Sequence, residues 1–273
     1  MSLLEQTKLL LRSYRIFPKK RLSQNFMVEP SIFRQMAHYA SLTSEDVVLD
    51  IGAGFGFLTA YLADKCAAVL AVEADTQLAT FLIEQLAPLE NVKVIPGDIF
   101  KVTTPQFSKI VSIPPYHVSS RLLRWVLGQH FECAVLVLQK EFAGRLVAMP
   151  GSKEYGWLTV LTHYRAEVEL RDVVSRRLFY PQPKVDSTIV CLRLRRSPPF
   201  RLSDEKLFEQ LLRSLFTQRN RKVKNAATSF LRGVLHADSA HATETAGILP
   251  FRDKRVRDLQ PEDFGVLTNA VNG

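Results

Sequence analysis

The chain has 273 residues, of which 47% are hydrophobic and 23% charged, with a formal net charge of +9. That length suffices for one large domain and a small one around a well-buried core, and the composition is that of a soluble globular protein, not a fibrous or disordered one. No apolar run approaches the ~20 residues of a membrane helix, and the three widely spaced cysteines, Cys66, Cys133 and Cys191, exclude a disulfide framework or a cysteine-held metal and read as buried thiols in a reducing compartment.

The first residues, MSLLEQTKLLLRSYRIFPKK, are partly apolar, but charges interrupt them. They lack the basic start, apolar middle and cleavage site of a signal peptide, so they read as a mature cytoplasmic start. From about residue 46 strands and helices alternate. DVVLDI is a β-branched strand running into glycines, and FLTAYLADKCA has helical spacing. AVLAVE is a strand, and DTQLATFLIEQLA a helix with Asp75 as its N-cap. NVKVIP and KIVSI are strands, a helix opens near Ser119 or Ser120, and CAVLVLQ is a continuously apolar strand. Such strands alternating with helices predict a parallel sheet covered on both faces.

The pattern then changes. AEVELRDVV and DSTIVCLRL are two strands separated by the Pro-rich loop FYPQPKVDS, which predicts an antiparallel edge. RRSPPF breaks the pattern and marks the domain boundary, giving expected domains of residues 1–196 and 197–273. Beyond it DEKLFEQLLRSLF, RKVKNAATSFLRGVL and PEDFGVLTNAV read as helices.

Charge is concentrated at the two ends. Lys8, Arg12, Arg15, Lys19, Lys20 and Arg21 crowd the start. A second group after residue 190 includes Arg193, Arg195, Arg213, Arg219, Arg221, Lys222 and Lys224. Basic ends flanking a near-neutral middle suit a polyanionic partner, because each cation near a phosphate releases a counterion. A merely solvated basic helix face is the other reading of the late cluster.

The first strand ends in Asp50-Ile51-Gly52-Ala53-Gly54-Phe55-Gly56 and enters a helix. Glycines allow a sharp turn and close approach of a ligand. Nicotinamide-binding folds use a similar loop, but the third glycine comes one residue sooner here than in GxGxxG, which favours a nucleoside without a pyrophosphate. Glu73 closes the second strand, where an acid can bind both ribose hydroxyls, and Asp98 follows the third, placed to meet an adenine amino group. Ser112-Ile113-Pro114-Pro115-Tyr116 ends the fourth strand in a stiff loop. Tyr116 there either stacks on a base taken out of its stack or packs a rigid turn.

Gln24-Asn25-Phe26-Met27, the DIGAGFGFLT loop, Glu73, Gly97-Asp98 and the PPY loop together resemble the small-subunit rRNA adenine N6,N6-dimethyltransferases, the KsgA-type family. The segment from Phe179 to Ser187 resembles that family's FxPxPxVxS, and Phe216 with Arg219, Arg221 and Lys222 resembles its basic C-terminal helix. The likeness spans nearly the whole chain. It implies an α/β fold, with a Rossmann-like S-adenosylmethionine-dependent methyltransferase domain and a small C-terminal helical domain. It also implies methylation of adjacent adenosines near the 3′ end of small-subunit rRNA during ribosome assembly, by a cytoplasmic monomer whose partner is the immature small subunit. Asn25, Met27, Gly52, Gly54, Glu73, Asp98 and Ile113 would line the cofactor pocket. Ile113, Pro114 and Tyr116 would form the catalytic loop, and Arg219, Arg221, Lys222 and Lys224 would bind RNA. No metal is implied.

One position departs from the family. Its fourth motif begins with Asn, and Ile113 stands there. In the family that Asn oxygen and the next backbone carbonyl accept the hydrogens of the adenine amine, which localises a delocalised lone pair. Ile113 cannot accept; the Pro114 carbonyl can. Losing one oriented partner of this kind costs on the order of 10²–10³ in rate. Three functions follow: a working methyltransferase in which the Pro114 carbonyl, with Ser112 or His117, substitutes; an rRNA-binding assembly factor that keeps the cofactor but has weak or no transfer; or an enzyme that stops after one methyl. Zinc-dependent adenine deamination is excluded, because its H-x-E and P-C-x-x-C pair is absent. No general base is identified.

Overall fold

The computed structural model describes residues 1–19 and 22–272; Lys20 and Arg21 of the basic start lie outside them. Helix α1 (Leu3–Ser13) is fixed by a capping box, in which the Glu5 amide donates to the Ser2 hydroxyl and the Ser2 amide to the Glu5 carboxylate. A short strand β1 (Phe26–Met27) and helix α2 (Pro30–Tyr39) follow.

The repeating part then runs β2 (Val47–Ile51), α3 (Phe57–Ala63), β3 (Ala68–Glu73), α4 (Thr76–Leu86), β4 (Val92–Pro96), β5 (Lys109–Ser112), α5 (Ser119–Val126) and β6 (Cys133–Gln139). The Asp75 carboxylate caps α4 by accepting from the Gln77 amide, as its N-cap reading implied. After α6 (Lys140–Leu146) and α7 (Trp157–Arg165) come β7 (Ala166–Val174), β8 (Phe179–Tyr180) and β9 (Ser187–Leu194). The main sheet has the order β4-β3-β2-β5-β6-β9-β7. Strands β2 to β6 pair parallel, and β9 joins β6 antiparallel, with Val135 opposite Cys191. The aliphatic strands β2, β3, β5, β6 and β9 are buried along nearly their whole length, whereas the edge strand β4 is not. Continuous apolar runs therefore mark the inner strands, covered by helices on both faces. All three cysteines are buried and free.

The chain forms two compact units, Met1–Ala143 with Val168–Leu194, and Gly144–Glu167 with Arg195–Gly273. A single crossing at residue 196 is therefore not what the fold shows: the second unit also takes in 144–167. Tyr155 in that insertion is fully buried, its hydroxyl donates to the Leu259 carbonyl at 2.9 Å, and its ring meets Phe216. Tyr164 packs on Phe200 and Phe208. Their ring partners lie on the later helix α8 (Glu205–Thr217) and the segment before it, and Phe216 stacks in turn on Phe264 of α11 (Pro261–Asn272). Between these lie α9 (Val223–Gly233) and α10 (Ser239–Ile248). Helix α10 had no sequence signal because its apolar residues form no stripe; it buries only Ala242 and Ala246.

Candidate active site

Strands β2 and β5 are neighbours, but the chain proceeds from β2 outward through β3 and β4, then returns to build β5 and β6 on the other side. That reversal is the switch point at which open α/β sheets form a ligand crevice. The backbone pairing of β2 with β5 covers Val48 with Lys109 and Leu49 with Ile110. At Ile51 the buried Ser112 hydroxyl takes over: it accepts from the Ile51 amide at 3.1 Å and donates to the Ile51 carbonyl at 2.7 Å. The strand ends stay joined through a side chain, and the loops beyond them face one cavity of about 370 Å³.

The first wall of the cavity is the glycine loop. Gly52 has φ of +79°, and a Cβ there would lie 2.8 Å from the Pro115 Cδ. Only glycine allows both this turn and this approach of the proline loop. The Gly54 amide donates to one oxygen of Glu73 at 2.9 Å and the Asp75 amide to the other at 2.8 Å. Burial pushes the Glu73 carboxyl above its ordinary range, and these amide bonds pull against it. Asp98 sits at the end of β4, with one carboxylate oxygen accepting from the Phe100 amide at 3.1 Å. Asn25, Gly52, Gly54, Glu73 and Asp98 all line this cavity, as do Ile113, Pro114 and Tyr116. Met27 lines a smaller one that shares Asn25, Gly52, Gly54 and Ile113. Antiparallel pairing of β1 with β8 sets Met27 against Phe179, so two segments 150 residues apart in sequence meet here.

Asp50, the acid that opens the glycine loop, has a defined place in the structure. It is fully buried beneath the loop, lines the smaller cavity, and accepts from the Thr59 hydroxyl at 2.7 Å. Burial pushes its carboxyl up to about 7. An acid at the end of the aliphatic run Val47–Ile51 was the available signal, since an unpaired buried carboxyl is otherwise costly.

The second wall is the loop after β5. Ile113 is half-buried and packs against the apolar cluster that contains Met27, Phe33 and Leu58. No hydrogen bond among the described residues engages the Pro114 carbonyl. The Tyr116 hydroxyl and the Ser187 hydroxyl lie 2.7 Å apart, and the Tyr116 ring meets Phe179 edge-on with centroids 6.3 Å apart. Burial pushes the Tyr116 phenol up to about 12, so it stays neutral. Phe179 and Ser187 entered the sequence reading only as part of a motif; their work is to pin Tyr116. Ser112, one of the offered replacement acceptors, is committed to both backbone groups of Ile51 and is absent from the cavity wall. His117 is exposed and lines the cavity.

The late basic residues divide. The Arg219 guanidinium donates to the Ser152 and Lys153 carbonyls at 2.6 and 2.7 Å, tying parts of its own unit together. Arg221 and Lys222 are exposed and Lys224 is half-buried; Arg221 donates to Gln218, and both lysines contact Asp253. Among the described residues no group of three or more His, Cys, Asp or Glu could hold a metal ion, and no helix is long and apolar enough to cross a membrane.

The family profile of the ribosomal RNA adenine dimethylases matches residues 18–268. The "Ribosomal RNA small subunit methyltransferase A" of a Geobacillus species is 34% identical, covering 97% of this chain and 96% of its own. The "Probable ribosomal RNA small subunit methyltransferase A" of Methanothermobacter thermautotrophicus is 37% identical, covering 95% and 93%. Among solved structures, a dimethyladenosine transferase from Plasmodium falciparum superposes with a TM-score of 0.76 at 27% identity, covering 89% of this chain and 95% of its own. The 23S rRNA methyltransferase ErmE superposes at 0.64 and 30% identity, covering 91% and 100%. The chain belongs to the ribosomal RNA adenine dimethylase family.

Proposed function

We propose that this protein transfers methyl groups from S-adenosylmethionine to adjacent adenosines near the 3′ end of small-subunit rRNA during ribosome assembly, acting as a cytoplasmic monomer. The observation that carries this reading is a single cavity at the β2/β5 switch point, with acids on one wall and the Pro114–Tyr116 loop on the other.

The residues present fit the cofactor. Gly52 leaves the space a Cβ would fill, and Glu73 is a buried acid fixed by two backbone amides where a ribose would be held. Asp98 keeps one carboxylate oxygen for an adenine amino group. Asp50 offers a buried carboxyl beside the smaller cavity, where a cationic ligand favours its ionised form. Bound there, S-adenosylmethionine supplies an electrophilic methyl group on a sulfonium. Asn25, Met27, Gly54 and Ile113 complete the walls.

The protein's own part at the acceptor is positioning. Tyr116, held by Ser187 and Phe179, gives a neutral aromatic face for a base withdrawn from its stack. The Pro114 carbonyl accepts a hydrogen of the exocyclic amine, which restores electron density to that nitrogen. Arg221, Lys222 and Lys224 supply counterion-releasing contacts to rRNA; Arg219 serves the folded unit first.

Ile113 favours a second reading, an assembly factor that binds rRNA and cofactor with weak or no transfer, because its side chain joins the apolar core and accepts nothing. Incubating the protein with labelled cofactor and under-methylated small subunits, then digesting the RNA, decides between them. Methylated adenosine is the expected product. RNA binding without methylated adenosine overturns the enzyme.

A further inference from the structure

Arg121 stands in the first turn of α5, five residues after Tyr116. Its guanidinium carbon lies 3.8 Å from the centroid of the Phe100 ring, and both residues line the main cavity. Arg121 is exposed, and among the described residues no carboxylate or carbonyl accepts from it. A guanidinium stacked on a ring uses its flat face; its five N–H groups lie in the plane and remain available. The stack also removes most of the rotamer freedom that a free arginine would lose on binding.

We propose that Arg121 is a phosphate anchor for the RNA strand, binding the backbone next to the adenosine that Tyr116 receives. Three observations carry this. The residue shares the cavity of Tyr116 but stays at its solvent-exposed rim, and a phosphate must stay at the rim when its base enters, because burying that charge is costly. Phe100 follows Asp98 by two residues, so Arg121 belongs to the end of the cavity that fits an adenine ring. S-adenosylmethionine carries its one carboxylate at the opposite end of the molecule, so the anion met by Arg121 comes from the nucleic acid. A planar fork also matches phosphate oxygens in a way a lysine does not.

The proposal rests on the rRNA reading above, and its test separates the two. The affinity of the full chain for a single-stranded, adenosine-containing oligonucleotide and for under-methylated small subunits is measured across a potassium chloride series. Wild type, Arg121→Gln and Arg121→Lys are compared, and cofactor affinity is measured in parallel. Arg121→Gln is expected to weaken RNA binding about 10-fold. It should also lower the slope of log affinity against log salt by about 0.7, one phosphate contact on a single strand. Arg121→Lys restores the slope with intermediate affinity, and the cofactor dissociation constant stays within about twofold of wild type. An unchanged slope in Arg121→Gln overturns the anchor while leaving the rRNA reading intact. A large loss of cofactor affinity instead makes Arg121 a cover for the cofactor and overturns it too. If wild type binds neither RNA, the rRNA reading itself falls, and the anchor with it.

Discussion

The two walls of the cavity are built on different physics. The glycine-loop wall is backbone and acid: Gly52 turns where no side chain fits, and Glu73 is gripped by two amides that the strand ends hold in place. The wall after β5 is apolar and aromatic: Ile113 leans into the core, and Tyr116 is fixed by residues from β8 and β9. The first wall depends on geometry that the sheet dictates, so it tolerates almost no change. The second depends on which side chains are presented, so a single substitution can retune it without disturbing the cofactor.

The sharpest test of that contrast is Gly52→Val. A left-handed conformation for a branched residue and a clash with Pro115 together cost about 3–4 kcal/mol, so cofactor affinity should fall about 100- to 1000-fold by calorimetry. Near-normal affinity would mean that the loop yields. Next in size is Ile113→Asn, which returns an oriented acceptor to the second wall and should raise turnover on small subunits by about 100-fold at saturating cofactor. An unchanged rate would show that the native loop already satisfies the amine. Tyr116→Ala should lower kcat/KM about 10- to 100-fold through lost stacking, while Ser187→Ala, which only frees the hydroxyl, should lower it about fivefold. Equal losses would make the hydroxyl pair, not the ring, the working part.

The smallest expected effect concerns pH. Burial raises the Asp50 carboxyl to about 7 in the folded chain, while the unfolded chain keeps the ordinary carboxylate value. Below that ordinary range both states hold the proton and burial has no pH-dependent cost. As pH rises towards 7 the unfolded state ionises first, so stability falls and then levels off above about 7. Asp50→Asn removes this loss, so thermal melting should rise by about 5 °C at pH 8 and not at all near pH 4. A uniform gain at both pH values would assign the effect to packing.

Local sequence determined the α/β alternation, because a strand buried on both faces must be aliphatic throughout, as β6 is, and a helix between strands must carry a 3.6-residue stripe. It also located the glycine loop, Glu73 and Asp98, since Glu73 closes a strand, Asp98 stands two residues beyond one, and a strand end has a fixed place in a parallel sheet. The second unit was only half legible. RRSPPF marks one boundary, but nothing near Ala143 announces the other, because Tyr155 and Tyr164 reveal their allegiance only through rings that lie 36 to 61 residues further along the chain. The basic residues were legible as charge and not as roles: Arg219 is set to hold its own unit by the carbonyls that face it, and Lys222 is set against Asp253. For the same reason the commitment of Ser112 to Ile51, the burial of Asp50 over Thr59, and the pinning of Tyr116 by Ser187 belong to the tertiary structure alone. A sequence specifies which groups can donate, accept or stack, and only the folded chain decides which of them are already taken.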